Sequence, residues 1–362
     1  MAEEIAGYVA DNCTVRHDCA KSGLRNSRMF HYFEGETADD VWRKALTKIQ
    51  SGESNLEESR LGPMRELLHC GLCIKDPRQR WVLSRRPAIN PAFAIAEVIW
   101  ILLGKNDSSF LNFWNPALPK YAGSGETYHG AYGSRLRSHF GLDQIERAYQ
   151  VLTINPESRQ AVLQIWDSKV DFPLPDGTSR DPDIPCNLMG LLKIRSQKLE
   201  WLQVMRSNDV FLGTPHNFVQ FTSLQEVIAG WLGVGIGSFL LVSDSLHLYE
   251  HDAARCSMSE VPSIATSTDS LALSREEFDR TLPLLEHAMN EMRSDLLTPA
   301  RLINIIDSLG LCTGWANYMH VVAADTARRR SWADEMHIVA NKCSNPTLQE
   351  AWRAWLDRCS ER

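Results

Sequence analysis

Residues 206–217 read Arg-Ser-Asn-Asp-Val-Phe-Leu-Gly-Thr-Pro-His-Asn, and this stretch decides how the sequence around it is interpreted. It joins a strand-like segment, residues 199–205, to an apolar helical pattern at residues 217–232. Arg206 and Ser207 come at the strand end, where they can bind a dianionic phosphate through forked and hydroxyl hydrogen bonds. The amide of Asn217 offers a donor and an acceptor, which suits the edge of a uracil ring.

A cysteine precedes this stretch at a second loop-to-strand junction, Asp183-Ile-Pro-Cys186-Asn. A thiol attacks as the thiolate, so nearby positive charge is needed to lower its pKa. Each residue also has a purely structural interpretation. The alternatives are a buried thiol at Cys186, a surface arginine at Arg206, helix caps at Asp209 and Asn217, and core residues at His247 and Tyr249.

The flanking patterns predict an α+β fold, with a mixed β-sheet packed against long helices and a helical C-terminal extension. We predict helices at 38–50, 92–103, 143–155 and 217–232, and from 274 onward. We predict a strand or a strand pair at 64–74, strands at 161–166, 187–194, 199–205 and 237–242, a hairpin at 195–198, and loops at 106–142. The expected division is an N-terminal extension (1–40), a catalytic domain (41–260) and a helical C-terminal segment (261–362).

Composition and charge exclude several classes of protein. The chain has 362 residues, 44% of them hydrophobic, and a formal net charge of -7, which argues against binding a nucleic acid polymer. The N-terminus lacks the features of a signal peptide, and the apolar stretches are too short to span a bilayer, so we expect a cytoplasmic protein that does not bind membranes. The nine cysteines have no regular spacing, and Cys70 and Cys73 are interpreted as buried thiols, so no metal site is expected.

The run Arg-Ser-x-Asp-Val-Phe-Leu-Gly-x-Pro-x-Asn resembles the thymidylate synthase family, and the resemblance extends from about Arg60 to Asp252. It implies that Cys186 is the nucleophile that adds to C6 of a pyrimidine nucleotide. It also implies that 5,10-methylenetetrahydrofolate is the co-substrate and that a one-carbon unit is placed on C5.

The same resemblance implies a role for each matching residue. Glu97 organises the catalytic water network, Tyr132 takes part in proton removal from C5, and Asn217 reads the base. Arg60, Arg206 and Ser207 bind the phosphate, together with Arg159 from the neighbouring subunit of a homodimer with shared active sites. His247 and Tyr249 bind the sugar 3′-hydroxyl. Asp209 binds the folate, with Leu212 and Gly213 beside it.

Four features depart from the family pattern. Gln160 replaces a second arginine, residues 115–121 rewrite the tryptophan-rich loop that packs on the folate, His216 replaces an apolar aromatic residue, and the last residues are polar where an apolar tail would close the site. A less closed site would admit water, so we expect a 5-hydroxymethyl product from dUMP. The alternatives are a thymidylate synthase that makes dTMP, and an inactive nucleotide-binding module.

Overall fold

The computed structural model describes residues 30–260, 266 and 269–360. Most of the expected N-terminal extension, residues 1–29, therefore lies outside the described residues.

A mixed seven-stranded sheet forms the centre of the fold, and a two-stranded ribbon lies apart from it. The strands are β1 (His31–Gly35), β2 (Asn55–Glu57), β3 (Met64–Ile74), β4 (Arg85–Arg86), β5 (Val162–Gln164), β6 (Asn187–Arg195), β7 (Lys198–Asp209), β8 (Gly235–Tyr249) and β9 (Ser257–Met258). The sheet runs β1-β3-β8-β7-β6-β5 with β2 also on β3, and β4 pairs with β9. The pairs β1–β3 and β7–β8 are parallel and the other pairs are antiparallel, so the sheet is mixed as predicted.

Helices of very different lengths surround this sheet. They are α1 (Ala38–Gln50), α2 (Pro91–Leu102), α3 (Ser108–Trp114), α4 (Pro119–Ala122), α5 (Tyr132–Ser134), α6 (Gln144–Ile154), α7 (Ser168–Asp171), α8 (Thr214–Leu232), α9 (Glu250–Ala253), α10 (Arg275–Arg293), α11 (Pro299–Ser308), α12 (Thr313–Arg329), α13 (Ala333–Asn341) and α14 (Pro346–Ser360). A π-helical turn, Arg135–His139, follows α5 directly.

Local sequence explains where the main elements begin and end. Thr37 and Asp40 form a capping box at the start of α1, and the Asn90 side chain accepts from the first amides of α2. Gly233, at φ 65°, ends α8 in the left-handed conformation that glycine adopts most easily. The β6–β7 hairpin turns through Ser196 and Gln197, both at positive φ.

Several predicted elements are confirmed, and one prediction is wrong. Helix 38–50 and strand 64–74 have the predicted bounds, and the hairpin at 195–198 is present. Strand β8 is longer than the predicted 237–242 and extends to Tyr249. Residues 106–142 are not mainly loop, because the short helices α3, α4 and α5 and the π-helical turn occupy much of this range. Helices of three to seven residues leave no apolar periodicity from which to predict them.

The helices after residue 260 share one hydrophobic core with the sheet. Helix α12 packs on α2, and α14 packs on both of them. The expected boundary at residue 40 falls inside α1, and strand β1 precedes it along the edge of β3. Among the described residues, no helix combines the length and apolarity needed to cross a membrane.

Candidate active site

The polar residues singled out in the sequence meet at one end of the sheet, where β6 begins and β7 ends. The amide of Arg206 donates to the carbonyl of Cys186 (3.0 Å), so the two residues lie side by side on neighbouring strands. Asp209 and His247 are register partners on β7 and β8. The sheet therefore brings together the two sequence stretches that point to chemistry.

Arg206 is held against the Cys186 loop. Its Nε donates to the Pro185 carbonyl and its Nη2 to the Ile184 carbonyl, both at 3.1 Å, and Nη2 lies 4.0 Å from Cys186 Sγ. Burial raises the pKa of the Cys186 thiol, and the Arg206 guanidinium acts against that rise. Arg206 is thus a partly buried neighbour of the thiol and not an ordinary surface arginine.

The turn between β7 and α8 is organised by Asp209. Its Oδ1 accepts from the amides of Phe211 (2.7 Å) and Leu212 (2.9 Å), and burial raises its pKa to about 6. Leu212 and Gly213 follow it and remain partly exposed. Asp209 therefore organises this turn but is not the N-cap of α8, which is Gly213, so its interpretation as a helix cap is wrong. Its second carboxylate oxygen takes no part in these two bonds.

Asn217 lies inside the first turn of α8, whose N-cap is Gly213, so its interpretation as a helix cap is wrong. Its side chain is buried, and Nδ2 donates to Asn208 Oδ1 at 3.2 Å. This bond orients the amide and leaves its carbonyl oxygen and second N–H for another partner.

Glu97 and Tyr132 come to the same region from α2 and α5. Glu97 is the one residue of α2 that is not buried. Its Oε2 is paired with His216 Nδ1 at 2.9 Å. Burial raises the pKa of the Tyr132 hydroxyl, and the charges of Cys186, Asp183 and Glu97 raise it further, so these groups surround the phenol.

His247 and Tyr249 lie at the end of β8 with their rings 5.0 Å apart. His247 is buried, which lowers its pKa. The Tyr249 hydroxyl forms a hydrogen bond with Ser59, and the charge of the adjacent Arg60 is felt at both Tyr249 and Cys186. Arg60 is exposed, so the loop that carries it reaches the rim of this region.

One predicted site residue lies elsewhere. Arg159 is exposed on the loop between α6 and β5, and within the described part of the chain it makes no recorded contact with Cys186 or Arg206. Ser207, in contrast, sits on β7 between Arg206 and Asn208 and pairs in register with Ser245 of β8.

Sequence reasoning missed two participants. Asp183 accepts from the amide of Gly130 (2.8 Å), and burial raises its pKa to about 6. The Glu97–His216 pair joins residues 119 positions apart, so only the packing of α2 on α8 reveals it. Within the described residues, no group of three His, Cys, Asp or Glu side chains is placed to hold a metal ion.

Comparison with known proteins agrees with this geometry. The sequence model of the family described as thymidylate synthase matches residues 82–281, more than half of the chain. The deoxyuridylate hydroxymethyltransferase of Bacillus phage SP01 is 34% identical over 295 residues, which cover 76% of this chain and 74% of that protein. That of Pseudomonas phage M6 is 34% identical over 176 residues, or 48% of this chain, and the alignment spans about half of that protein, 49%.

A second kind of relative carries a different name. A putative thymidylate synthase of Methanothermobacter marburgensis is 30% identical over 221 residues, which cover 58% of this chain and 88% of that protein. Together with the residues gathered at the end of the sheet, these matches confirm the resemblance drawn from residues 206–217. The chain belongs to the thymidylate synthase family of one-carbon transferases.

Proposed function

We propose that this protein transfers a one-carbon unit from 5,10-methylenetetrahydrofolate to C5 of dUMP through a covalent Cys186 adduct, and releases 5-hydroxymethyl-dUMP. The observation that carries the proposal is the position of the Cys186 sulfur, 4.0 Å from the Arg206 guanidinium and beside Tyr132. A thiolate can form there and attack C6, which makes C5 a carbon nucleophile.

The nucleotide is proposed to bind along the ends of β7 and β8. Arg206 and Ser207 would hold the phosphate with Arg60, while His247 and Tyr249 hydrogen-bond the sugar. The two carbonyls that fix Arg206 support this role, because a preorganised guanidinium loses little entropy when it binds an anion.

The base is proposed to be uracil. Asn217 has its carbonyl oxygen available for the N3–H donor of uracil and one N–H for the O4 acceptor, since its other N–H is engaged by Asn208. The names of the two phage relatives, both deoxyuridylate hydroxymethyltransferases, support the same choice.

The folate is proposed to lie against the β7–α8 turn. Asp209 would bind the pterin, with Leu212 and Gly213 forming the adjacent surface. The carboxylate is already fixed by two backbone amides, which supports a binding role that demands a defined orientation.

The active unit is proposed to be a homodimer in which Arg159 serves the partner's phosphate. An apolar patch on one face of the sheet supports a second copy as its occupant. The patch consists of Leu191, Leu202, Val204, Leu240 and Val242, which are register neighbours across β6, β7 and β8 and are partly exposed. Alternate residues of the same strands are buried on the opposite face under the helices.

Product analysis tests the reaction. Purified protein is incubated with dUMP and methylenetetrahydrofolate, and the nucleotide product is identified by mass spectrometry while dihydrofolate is followed by absorbance. We expect 5-hydroxymethyl-dUMP without dihydrofolate. Formation of dTMP with equal dihydrofolate would instead establish the second candidate, which the name of the Methanothermobacter relative favours.

A trapping assay separates both enzymes from an inactive binding module. With 5-fluoro-dUMP and the folate, a one-carbon transferase accumulates a covalent adduct, because fluorine cannot leave C5 as a proton does. We expect the adduct on the Cys186 peptide and its loss in Cys186→Ala. A protein that binds dUMP tightly and forms no adduct would contradict the proposed activity.

A further inference from the structure

Helices α2 and α8 are almost completely buried. In each of them one polar residue keeps some solvent exposure, and these two residues are neighbours. Glu97 is the one residue of α2 that is not buried. On α8, every residue from Thr214 to Ala229 is buried except His216. These two residues face each other, with His216 Nδ1 2.9 Å from Glu97 Oε2.

The contacts fix the orientation of the imidazole. An edge-on ring contact with Phe93 (5.2 Å between centroids) holds one side, and Phe93 precedes Glu97 by one turn of α2. Both side chains of the pair keep some accessible surface, 18% for His216 and 16% for Glu97, so the pair is not sealed in the core. Tyr132 lies near the pair, because the charges of both Glu97 and Cys186 raise the pKa of its hydroxyl.

The hydrogen bond also assigns the tautomer of a neutral His216. An ionised carboxylate only accepts hydrogen bonds, so Nδ1 carries the proton and Nε2 keeps a lone pair. No hydrogen bond from the described part of the chain is recorded at Nε2. A neutral imidazole with this arrangement can accept a proton from water.

We propose that His216, held by Glu97, is the specificity-determining residue that directs water to the one-carbon unit on C5. The inference rests on the proposed hydroxymethyl product. After the folate has left, C5 carries an exocyclic methylene and C6 carries the Cys186 sulfur. A C–O bond forms between water and the methylene carbon, and the water proton passes to His216 Nε2.

The electrons released by this addition complete the reaction. They move from the methylene double bond towards C5 and O4 and then expel the Cys186 thiolate from C6, which restores the C5–C6 double bond. The step needs no oxidant or reductant. An apolar aromatic residue at position 216 would offer no acceptor for the water proton, and the methylene would persist until a hydride donor or another nucleophile reached it.

The test measures how the intermediate is partitioned. Release of tritium from C5 of labelled dUMP reports proton removal, and mass spectrometry reports 5-hydroxymethyl-dUMP, so their ratio isolates the later step. We expect His216→Phe to lower this ratio at least about tenfold, because positioned proton transfer contributes about 10²–10⁴-fold. The missing product should appear as dTMP or as a persistent covalent adduct.

Two further variants separate chemistry from structure. The asparagine side chain of His216→Asn can still donate to Glu97, but it has no basic nitrogen that could take the water proton. The ratio of this variant should therefore be as low as that of His216→Phe. His320→Phe makes the same change on α12, away from the site, and should keep the wild-type ratio. A wild-type ratio in His216→Asn would show that His216 acts only by placing Glu97, which overturns the inference.

The outcome also separates this inference from the proposed function. If wild-type protein makes only dTMP, the proposed product is wrong and the role of His216 falls with it. If wild-type protein makes 5-hydroxymethyl-dUMP and His216→Phe gives an unchanged ratio, the role of His216 alone is overturned.

Discussion

At the scale of single residues, the site balances two opposing effects on one thiol. Burial keeps Cys186 protonated, while Arg206 favours its thiolate, and Asp183 and Asp209 add negative charge that raises the pKa again. The free protein therefore holds its nucleophile mostly as the thiol near neutral pH, and alkylation should accelerate as the pH rises through the raised pKa.

Arg206→Gln should raise the Cys186 pKa further, because the larger of the two opposing positive charges, those of Arg206 and Arg60, is gone. We expect slower alkylation of Cys186 by iodoacetamide near neutral pH and a pH profile displaced upward. Peptide mass spectrometry gives the rate at each cysteine, and the exposed Cys312 serves as the internal control. If the pH profiles of Cys186 alkylation are the same for the variant and the wild type, Arg206 does not stabilise the Cys186 thiolate.

Arg206 should also contribute directly to nucleotide affinity. Arg206→Ala is expected to weaken dUMP binding by about 1.5–3 kcal/mol, the size of a hydrogen bond to a charged group. Titration calorimetry with dUMP and with deoxyuridine distinguishes the contact made. An equal loss for the nucleoside would mean that Arg206 does not bind the phosphate.

Asn217 should set the preference for the base. Cytosine presents an N3 acceptor and a 4-amino donor, the reverse of uracil, and the bond from Asn217 Nδ2 to Asn208 opposes a flip of the amide. Asn217→Asp should shift the ratio of kcat/KM values for dUMP and dCMP towards dCMP. A ratio that does not change would place base selection elsewhere, and a wild-type preference for dCMP above tenfold would contradict the uracil assignment.

Part of this site could be located before the structure was known. The side-by-side positions of Cys186 and Arg206 follow from the paired strands and the family motif, both readable from the sequence. The Glu97–His216 pair was not predicted, because position 216 carries no signal of its partner until α2 and α8 are packed together.

At the scale of elements, prediction succeeded where periodicity was long and failed where it was short. Helix α1 and strand β3 have uninterrupted patterns and clear ends, and their bounds match the prediction. Helix α8 begins three residues before the predicted start, because Pro215 falls at a position in the first turn where a proline is accepted. In β8, the polar pair Asp244-Ser245 interrupts the apolar pattern, but the register with β3 is the same on both sides of Asp244.

A buried ion pair connects the loop after β3 with the helices α8 and α12. Arg80 pairs with Glu226 of α8 and donates to Ser223 and to the Tyr318 hydroxyl of α12, each at 3.1 Å. The other oxygen of Glu226 accepts from the amide of Leu271 (3.0 Å). Glu226→Ala leaves a buried guanidinium without its charge partner and should cost about 3–5 kcal/mol of unfolding free energy.

Urea unfolding at one fixed protein concentration checks this cost. Glu276→Ala removes an exposed carboxylate that pairs with Arg280 on α10, and serves as the matched control with little expected effect. If the two variants differ by less than about 1 kcal/mol, the buried pair does not stabilise the junction.

At the scale of the whole molecule, the C-terminal helices support the part of the chain that forms the site. The C-terminal helices pack on α2, which carries Glu97, so the catalytic core and the C-terminal segment share one apolar interior. The sequence indicated these helices but not their docking, since an amphipathic pattern predicts a buried face and does not name what covers it.

The assembly of two protomers determines whether Arg159 acts within its own protomer or across an interface. Arg159 is exposed and lies apart from the Cys186–Arg206 cluster in the described chain, which fits service to a partner. Cys186→Ala and Arg159→Ala homodimers should each have low activity. A mixed dimer has one site that combines the intact cysteine of one protomer with the intact arginine of the other, so equal mixing should restore about a quarter of the wild-type sites.

In the matched control, both substituted residues belong to the same protomer's contribution to a site. Cys186 and Arg206 lie in one protomer, so a mixed dimer of Cys186→Ala and Arg206→Ala contains no complete site and should gain nothing on mixing. Native mass spectrometry must first show that subunits exchange in both mixtures. Recovery in the Arg159 mixture alone supports a shared site. No recovery in either mixture after proven exchange would mean that each protomer builds its phosphate site alone, and the exposed position of Arg159 would then have no catalytic meaning.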